Sequence, residues 1–434
     1  MTSEVALMNR HGVALAADSA ATVTYWNPET ARQEERYFKR VNKIFNIMHN
    51  KPVGLMIYGT GSLQGMPWEL IAKAFRTDRS DAAHEKLPGY ADDLFGYIAG
   101  NRDMFSEDQQ QAALQTSISE STASLAYQIL FDENYKKETD AQKRETVAID
   151  MITRAEGNIG AAEYINDVAS EVHAAITTEL ENHEKHVLET EEGKFLAGEL
   201  GEALLRLIVA LGIERLFKVG ITPLDHTGVV VSGYGDRQYL PQIEQYNVYG
   251  LFKNRLVYSR VPSGCRIITN DNASELVPIA QANMINTFLM GADVPTLAEI
   301  DSYVGQAIKE FTSGLVADGH LPGELDVTPF ADTATGAFTD RVRQYIWKTH
   351  IRPMRQVIGM LSPSELAELA ETLVSAESLK ERVTRPTESV SGPVDVAVIS
   401  KSDGFIWIKR KHYFDPSLNP RFFVARQMEA KVGT

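Results

Sequence analysis

The sequence has little cysteine and a shortage of positive charge, and each shortage limits which compartments or partners we expect for the protein. Cys265 is the one cysteine of the chain and cannot form an internal disulfide, which fits a reducing compartment. The 43 lysines and arginines are outnumbered by 58 acidic residues, so the formal net charge is −15. Nucleic acids and anionic lipids bind basic surfaces. We therefore expect a cytoplasmic protein that binds no nucleic acid.

The chain also lacks an apolar run long enough to cross a membrane. The best candidate, residues 202–213, reads EALLRLIVALGI and contains Arg206, whereas a bilayer span needs about 20 apolar residues. The first residues show no basic segment followed by an apolar one, so no export signal is predicted. We expect no membrane partner, and mature structure from the start of the sequence.

Two local patterns suggest a metal or a cofactor, but neither fits the spacing that such a site needs. His183 and His186 stand in HEKH, which is not H-E-x-x-H, and the sequence offers no clear third ligand. The glycines of GTGSLQG, Gly59, Gly61 and Gly65, miss the dinucleotide-binding G-x-G-x-x-G by one position. We predict no metal and no cofactor.

The hydrophobic pattern predicts strands at both ends and in the middle of the chain. Strand-like runs lie at 5–8, 13–17, 43–48, 53–58, 228–235, 243–250, 255–261, 394–400 and 405–410. Helices are predicted after Pro67, around 275–289, 296–315 and 340–360, and from Ser362 onward. This order favours an α+β fold in which helices cover two antiparallel sheets.

The pattern between residues 80 and 217 is mostly helical and interrupts the strands. We therefore expect a single domain over 1–434, with its core at about 1–79 and 218–414 and a large helical insertion at 80–217. The sequence shows no internal repeat.

Four segments resemble the proteasome β subunit and its bacterial peptidase relatives, within the N-terminal nucleophile hydrolases. They read MTSEVALMNRHGVALAADSA, NKIFNI, VGLMIYGTGS and ESVSGPVDVAVISKSDGFIWI. The resemblance covers about half of the chain and leaves the helical insertion and part of the region 318–362 unmatched. It implies the family's four-layer αββα sandwich, with two antiparallel sheets between helix layers.

The same resemblance implies the active-site residues. Thr2 follows the initiator Met, Asp18 ends the second strand, Lys43 stands in NKIFNI, and Gly59 opens the glycine turn that supplies an oxyanion-binding N–H. In the late segment Ser391 matches the family's serine, and Glu388 replaces its aspartate. The family's further serine has no clear counterpart, and Asn272 and Ser274 are candidates for it.

An N-terminal threonine carries its own base, since its free α-amine can take the proton of its hydroxyl. The unperturbed pKa of such an amine is about 7.7–8.0, so a useful fraction is neutral near pH 7. Lys43 would favour the alkoxide and the neutral amine, and Asp18 would hold the lysine. Glu388 would fix Ser391 or the amine. Removal of Met1 is required, because an acylated amine is no base.

The sequence therefore predicts a proteasome-like threonine hydrolase that cleaves peptide bonds through an acyl-enzyme on Thr2. The resemblance implies a homo-oligomer, such as a ring, that acts on peptides or unfolded proteins, with an ATP-dependent unfoldase as a further candidate partner. Two alternatives stay open: a small-molecule amidase of the same fold, and an inactive scaffold or binding subunit.

Overall fold

The computed structural model describes residues 3–27, 32–38, 40–320, 322, 326, 328–384, 392–412, 414–421 and 424. Its strands are β1 (Ser3–Asn9), β2 (Gly12–Ala17), β3 (Ala21–Asn27), β4 (Arg32–Phe38), β5 (Ile44–Asn46), β6 (Val53–Gly59), β7 (Ser62–Leu63), β8 (Met66–Pro67), β9 (Thr227–Gly233), β10 (Gln242–Phe252), β11 (Arg255–Arg260), β12 (Arg266–Ile267), β13 (Ser274–Ala280), β14 (Asp395–Ser400) and β15 (Gly404–Lys409).

Its helices are α1 (Trp68–Asp78), α2 (Pro88–Gly100), α3 (Glu107–Phe131), α4 (Glu133–Lys137), α5 (Ala141–Ala161), α6 (Asp167–Thr177), α7 (Leu180–Glu189), α8 (Glu191–Leu200), α9 (Glu202–Arg215), α10 (Asn283–Met290), α11 (Val294–Ala317), α12 (Thr328–Ile346), α13 (Arg352–Ile358) and α14 (Pro363–Thr384). A π-helical turn, Trp347–Ile351, joins α12 to α13.

Two antiparallel sheets contain most of the strands. The first has the order β13-β1-β2-β14-β15, so an early strand and a late strand of the chain, β2 and β14, pair within it. The second has the order β11-β10-β9-β6-β5, with β12 paired to β10. This mixture of helices and antiparallel sheets confirms the predicted α+β class.

Strand β1 shows why the first sheet is covered on both faces. Its side chains point alternately to opposite faces, and all seven residues are buried. Val5 and Leu7 pack with α10, α13 and α14. Ala6 and Met8 pack against residues of the second sheet. Strand β1, whose residues Val5 to Met8 are all apolar, therefore lies between a helix layer and another sheet.

The second sheet is covered by helices on its other face. Trp68, Ile71 and Phe75 of α1 are fully buried there against strands β6 and β9, together with side chains of α2. Pro67 precedes the first turn of α1, where its fixed φ and missing N–H cost nothing. The predicted strand-to-helix passage through the glycines is thus confirmed.

Helices α3 to α9 occupy most of the segment that was predicted to be helical. They bury one apolar cluster of their own, which contains Ala126, Ala148 and Leu205. A second cluster joins them to the back of the β10–β11 hairpin, where Phe217 contacts Phe252 edge to face with a centroid distance of 5.8 Å. This helical region therefore attaches to the second sheet at its β11 edge.

The prediction of a helix over 275–289 is wrong in its first half. Residues 274–280 form β13, which pairs with β1 along its whole length, and α10 begins only at Asn283. Pro278 lies within this strand. Proline is tolerated in an edge strand, where its missing N–H faces no partner, and β13 is the outermost strand of the first sheet among the described residues. The β3–β4 pair also escaped the sequence analysis, since its residues are mostly polar.

None of the helices in the described part of the chain combines the length and the apolarity that a bilayer crossing requires.

The layer between the two sheets gives a test of the packing. Replacement of the fully buried Leu15 by alanine removes apolar contacts between the sheets and should lower the free energy of unfolding by about 2–5 kcal/mol. Ile406→Ala, on β15 with its side chain 45% exposed, should change it by less than about 0.5 kcal/mol. Urea denaturation of both variants measures the difference, and equal midpoints would contradict the packing described here.

Candidate active site

Asp18 ties the end of β2 to the start of β1. Its Oδ1 accepts a hydrogen bond from the Ser3 backbone N–H at 3.0 Å, and its own N–H donates to the Ser3 carbonyl at 3.1 Å. Its Oδ2 accepts from the Ala20 N–H at 3.1 Å. The carboxylate is buried, so these donors replace the water that it loses. Ser3, the first described residue, is thereby fixed beside Asp18.

Lys43 brings a cation to the same point. Its Nζ lies 2.6 Å from Asp18 Oδ1 and 3.3 Å from Glu4 Oε1, and only 4% of the lysine is exposed. Its backbone is held by the second sheet, because the Ile57 N–H of β6 donates to the Lys43 carbonyl at 2.9 Å. The expected approach of Asp18 and Lys43 is therefore present in the structure.

Glu4 is part of this cluster and was missed by the sequence analysis. It alternates along β1 in step with Ala6 and Met8, so it lies on the face that points toward the second sheet. A glutamate directly before the apolar run Val5 to Met8 of this strand was the available signal. With Glu4 and Asp18 against Lys43, the three buried side chains carry more negative than positive charge when ionised.

A second buried ion pair lies next to the first. Asp395, at the start of β14, is opposite Ala17 of β2 and contacts Lys411 Nζ. Burial lowers the pKa of Lys411, while Asp395 opposes that shift; the charges of Lys43 and Asp18 also act on it. Lys411 and Asp395 therefore belong to the electrostatic environment of the Asp18–Lys43 pair, and no sequence motif indicates this.

Gly59 ends β6 in a conformation that favours glycine. Its φ is 78°, and an added Cβ would stand 2.8 Å from the His226 carbonyl oxygen. It lies two residues beyond Ile57, the partner of Lys43, or about 7 Å along the strand. The following turn is fixed by Thr60, whose Oγ1 lies 2.5 Å from Thr227 Oγ1. Gly59 thus lies on the strand that fixes Lys43.

The segment that leads into β14 lies beside the residue that follows Asp18. Ser19 Oγ donates a hydrogen bond to the Pro393 carbonyl. Pro393 therefore lies beside the residue that follows Asp18. The expected site residues Thr2, Glu388 and Ser391 lie outside the described residues.

The structure separates Asn272 and Ser274 from this cluster, which corrects their candidacy for the family's further serine. Ser274 is opposite Asn9, whereas Ala280, at the other end of β13, is opposite Ser3. Six residues of strand correspond to about 20 Å. Both side chains instead hold α13, since Ser274 Oγ donates to the Arg355 carbonyl and the Arg355 guanidinium donates to Asn272.

The site end of β13 carries a strained turn. Ala280 has φ 57°, in the left-handed region that residues with a Cβ rarely adopt. The chain then enters α10, and Glu377 Oε2 of α14 accepts the Met284 N–H at 2.6 Å. Burial raises the pKa of Glu377. Such strain is typical of functional sites, and here it is opposite Ser3.

A metal centre is not apparent among the described residues, since they contain no group of three or more His, Cys, Asp or Glu side chains arranged to hold an ion.

Comparisons with known proteins give distant similarities. No family model matches the chain, and no curated protein matches it. Solved structures that resemble it include an Anbu (Gly-1) mutant from Hyphomicrobium sp. strain MC1, with 9% identity and a TM-score of 0.27, covering 99% of this chain and 96% of that one.

Anbu from the same strain is 9% identical, with a TM-score of 0.26, covering 98% of this chain and 97% of that one. Anbu (ancestral beta-subunit) from Yersinia bercovieri is 8% identical, with a TM-score of 0.23, covering 98% and 95%.

The buried ion pair makes a prediction about stability. Lys43→Met leaves the Asp18 carboxylate without its cation and should lower the free energy of unfolding by about 3–5 kcal/mol. Asp18→Asn with Lys43→Met should cost less than the sum of the two single changes, because the pair is removed together. Denaturation of the four proteins gives the coupling energy. Lys73→Met, which breaks the exposed ion pair with Glu69, is the control and should cost at most about 1 kcal/mol.

Proposed function

We propose that this protein is a proteasome-like N-terminal threonine hydrolase that cleaves peptide bonds through an acyl-enzyme on Thr2. The observation that carries the proposal is the buried Lys43–Asp18 pair, whose carboxylate also holds the backbone of Ser3. Thr2 precedes Ser3 by one peptide bond. The residues that the motifs assign to one active site thus include two that are in contact, although they are separated along the chain.

In this mechanism Lys43 acts by its charge. A buried cation stabilises a neighbouring alkoxide and disfavours protonation of a neighbouring amine. Asp18 keeps the Nζ in place with a contact of 2.6 Å. The α-amine of Thr2 then takes the hydroxyl proton, directly or through a water, and the hydroxyl oxygen attacks the scissile carbonyl. Protonation of the leaving amine releases the first product, and water hydrolyses the ester.

Three further residues complete the proposed site. The Gly59 N–H would face the oxyanion that forms on the scissile carbonyl, and its place on β6, near Ile57 and Lys43, supports this role. Ser391 and Glu388 would hold the amine or the water. The roles proposed for Ser391 and Glu388 are supported by the contact between Ser19 and Pro393, because Pro393 is two residues from Ser391 in sequence.

The fold proposed with this activity is the four-layer αββα sandwich of the N-terminal nucleophile hydrolases. The packing of Val5 and Leu7 on helices, and of Ala6 and Met8 on the second sheet, supports it. The proposal includes one domain over 1–434 with an inserted helical region at 80–217, a cytoplasmic location and self-assembly. It takes peptides or unfolded proteins as substrates and an ATP-dependent unfoldase as a candidate partner.

A covalent probe tests the chemistry. A peptidyl epoxyketone reacts with a hydroxyl and an amine on adjacent carbons, so intact mass should show loss of Met1 and one adduct per chain. Thr2→Ala should abolish the adduct and lower the hydrolysis of fluorogenic peptide amides by at least about 1,000-fold. In the hydrolysis assay, Lys73→Met is the matched control for Lys43→Met. Both variants lose a lysine charge, but only Lys43 lies in the site.

The same measurement separates the alternatives. Retained Met1 with no adduct would contradict the hydrolase and leave a scaffold or binding subunit. An adduct without hydrolysis of any peptide in a library, but with hydrolysis of small acyl amides, would support the amidase instead.

Glu4 makes a prediction about pH. Its carboxylate, 3.3 Å from Lys43 Nζ, offsets the positive charge that keeps the amine neutral. Glu4→Gln removes this negative charge, so the pKa of the Thr2 amine should fall and the acidic limb of the kcat/KM profile should move to lower pH by about 1 unit. Rates between pH 5 and 9 measure the shift. A shift to higher pH would contradict the assigned role, and Glu69→Gln should leave the profile in place.

A further inference from the structure

One row of residues crosses the first sheet next to the candidate active site. Ala17 of β2 is opposite Glu4 of β1 on one side and opposite Asp395 of β14 on the other. Residues that are directly opposite in antiparallel strands have their side chains on the same face of the sheet. Glu4 lies on the face that points toward the second sheet, so Asp395 lies on that face as well. Two carboxylates thus flank the small side chain of Ala17.

Asp395 is close enough to compete for the cation of the site. Neighbouring strands are about 4.8 Å apart, and Asp395 is one strand from Ala17, the residue that precedes Asp18. The flexible four-carbon stem of a lysine can span such a gap. Lys43 Nζ nevertheless lies 2.6 Å from Asp18 Oδ1, although a further buried carboxylate is on the next strand. An Asp395 without a partner would therefore attract Lys43 away from Asp18.

Lys411 binds both oxygens of Asp395. Its backbone N–H donates to Asp395 Oδ1 at 2.9 Å, and its Nζ contacts Asp395 Oδ2. Only 8% of the Lys411 side chain and 3% of the Asp395 side chain are exposed. A buried ion pair offsets its desolvation when the geometry is close and additional hydrogen bonds are present. Asp395 is thereby neutralised by a cation other than Lys43.

A β-bulge in β15 precedes Lys411. Ala397 of β14 is opposite Trp407. The preceding residue, Val396, is opposite Lys409, so β15 has one extra residue at this point. Bulges bend a strand and redirect its side chains, and they are frequent beside active sites. Strand β15 ends at Lys409, and two residues later Lys411 lies at the start of β14.

We propose that Lys411 is a positioning residue of the hydrolase site, because it holds Asp395 and so leaves Lys43 in contact with Asp18. This inference rests on the proposed function, in which the charge of Lys43 keeps the α-amine of Thr2 neutral. Lys411 acts through Lys43 and is assigned no contact with the substrate.

The balance of charge gives the direction of the effect. The charged groups that surround Lys411 among the described residues include Asp395 of β14, Lys43 before β5, Asp18 after β2 and, across Ala17, Glu4 of β1. Loss of the Lys411 charge leaves one cation among three carboxylates, which favours the protonated form of a nearby amine. Loss of the Asp395 charge favours the neutral amine. Loss of both charges leaves the net charge unchanged.

The pH profile of kcat/KM tests this role. Lys411→Met should move the acidic limb to higher pH by about 0.5–1 unit, from Coulomb's law over about 10 Å at an effective dielectric constant of about 20. Asp395→Asn should move the limb to lower pH. The double variant with both changes should restore the wild-type limb, because the competing carboxylate is removed together with its partner.

The control and the contrary outcomes are defined by the same profile. Lys409→Met breaks a more exposed ion pair with Glu371, two residues before Lys411, and should leave the limb in place. A pair that serves folding alone would lower activity without moving the limb in opposite directions. Unchanged limbs, or shifts of both single variants in the same direction, overturn the proposal. If Lys411→Met does not fold, Asp395→Asn and the double variant decide between these outcomes.

A second measurement does not require hydrolysis. In a Thr2→Ala background, loss of Met1 again leaves a free first amine, and intact mass verifies the loss. The pH dependence of its acylation by acetic anhydride, followed by mass spectrometry, gives the pKa of this amine. Lys411→Met should raise that pKa and Asp395→Asn should lower it.

The two measurements together separate this inference from the proposed function. Shifts of the amine pKa in a protein that hydrolyses no amide would support the placement of Lys411 and contradict the hydrolase. Hydrolysis by the wild-type protein, with no shift in either measurement, would overturn the role of Lys411 and leave the hydrolase intact.

Discussion

The buried contact between Lys43 and Asp18 is the interaction on which the site depends. Removing a charged group from water costs several kcal/mol, and here the cation is enclosed with two carboxylates, Asp18 and Glu4. The cost is offset by direct contact and by the backbone N–H groups that Asp18 accepts. An apolar cluster of the same volume would serve stability as well. We therefore interpret the buried charges as a functional feature of the site.

The sequence predicted the contact of Asp18 with Lys43 because their motifs resemble those of a known family. The sequence analysis failed where contacts between distant segments, and not the local hydrophobic pattern, determine the structure. The local pattern of the β13 run predicts a helix, and with it Ser274 as a candidate site residue, whereas the register of β13 places Ser274 opposite Asn9. Glu4 was missed, since the partner of a charged strand residue depends on how two sheets stack, and periodicity along one strand does not contain that information.

Among the described residues, the helical region from α3 to α9 packs against the second sheet. Its contacts include Phe252 and Val257 of the β10–β11 hairpin, which lies at the opposite edge of that sheet from β5, the strand that follows Lys43. The outer faces of the two sheets are covered by helices α1, α2, α10, α13 and α14. The apolar pattern of α3 to α9 therefore predicts helices, but it does not contain the sheet edge on which those helices pack.

Pro278 has a consequence for how copies of the chain can meet. Strand β13 is the outer strand of the first sheet in the described part of the chain, and a proline there offers no N–H to an incoming strand. The sheet is thus protected from lengthening across that border, which would otherwise join molecules backbone to backbone in open-ended stacks. Contacts between copies on this side are therefore made by helix side chains. Their shapes fit together in one geometry, which allows an assembly to close.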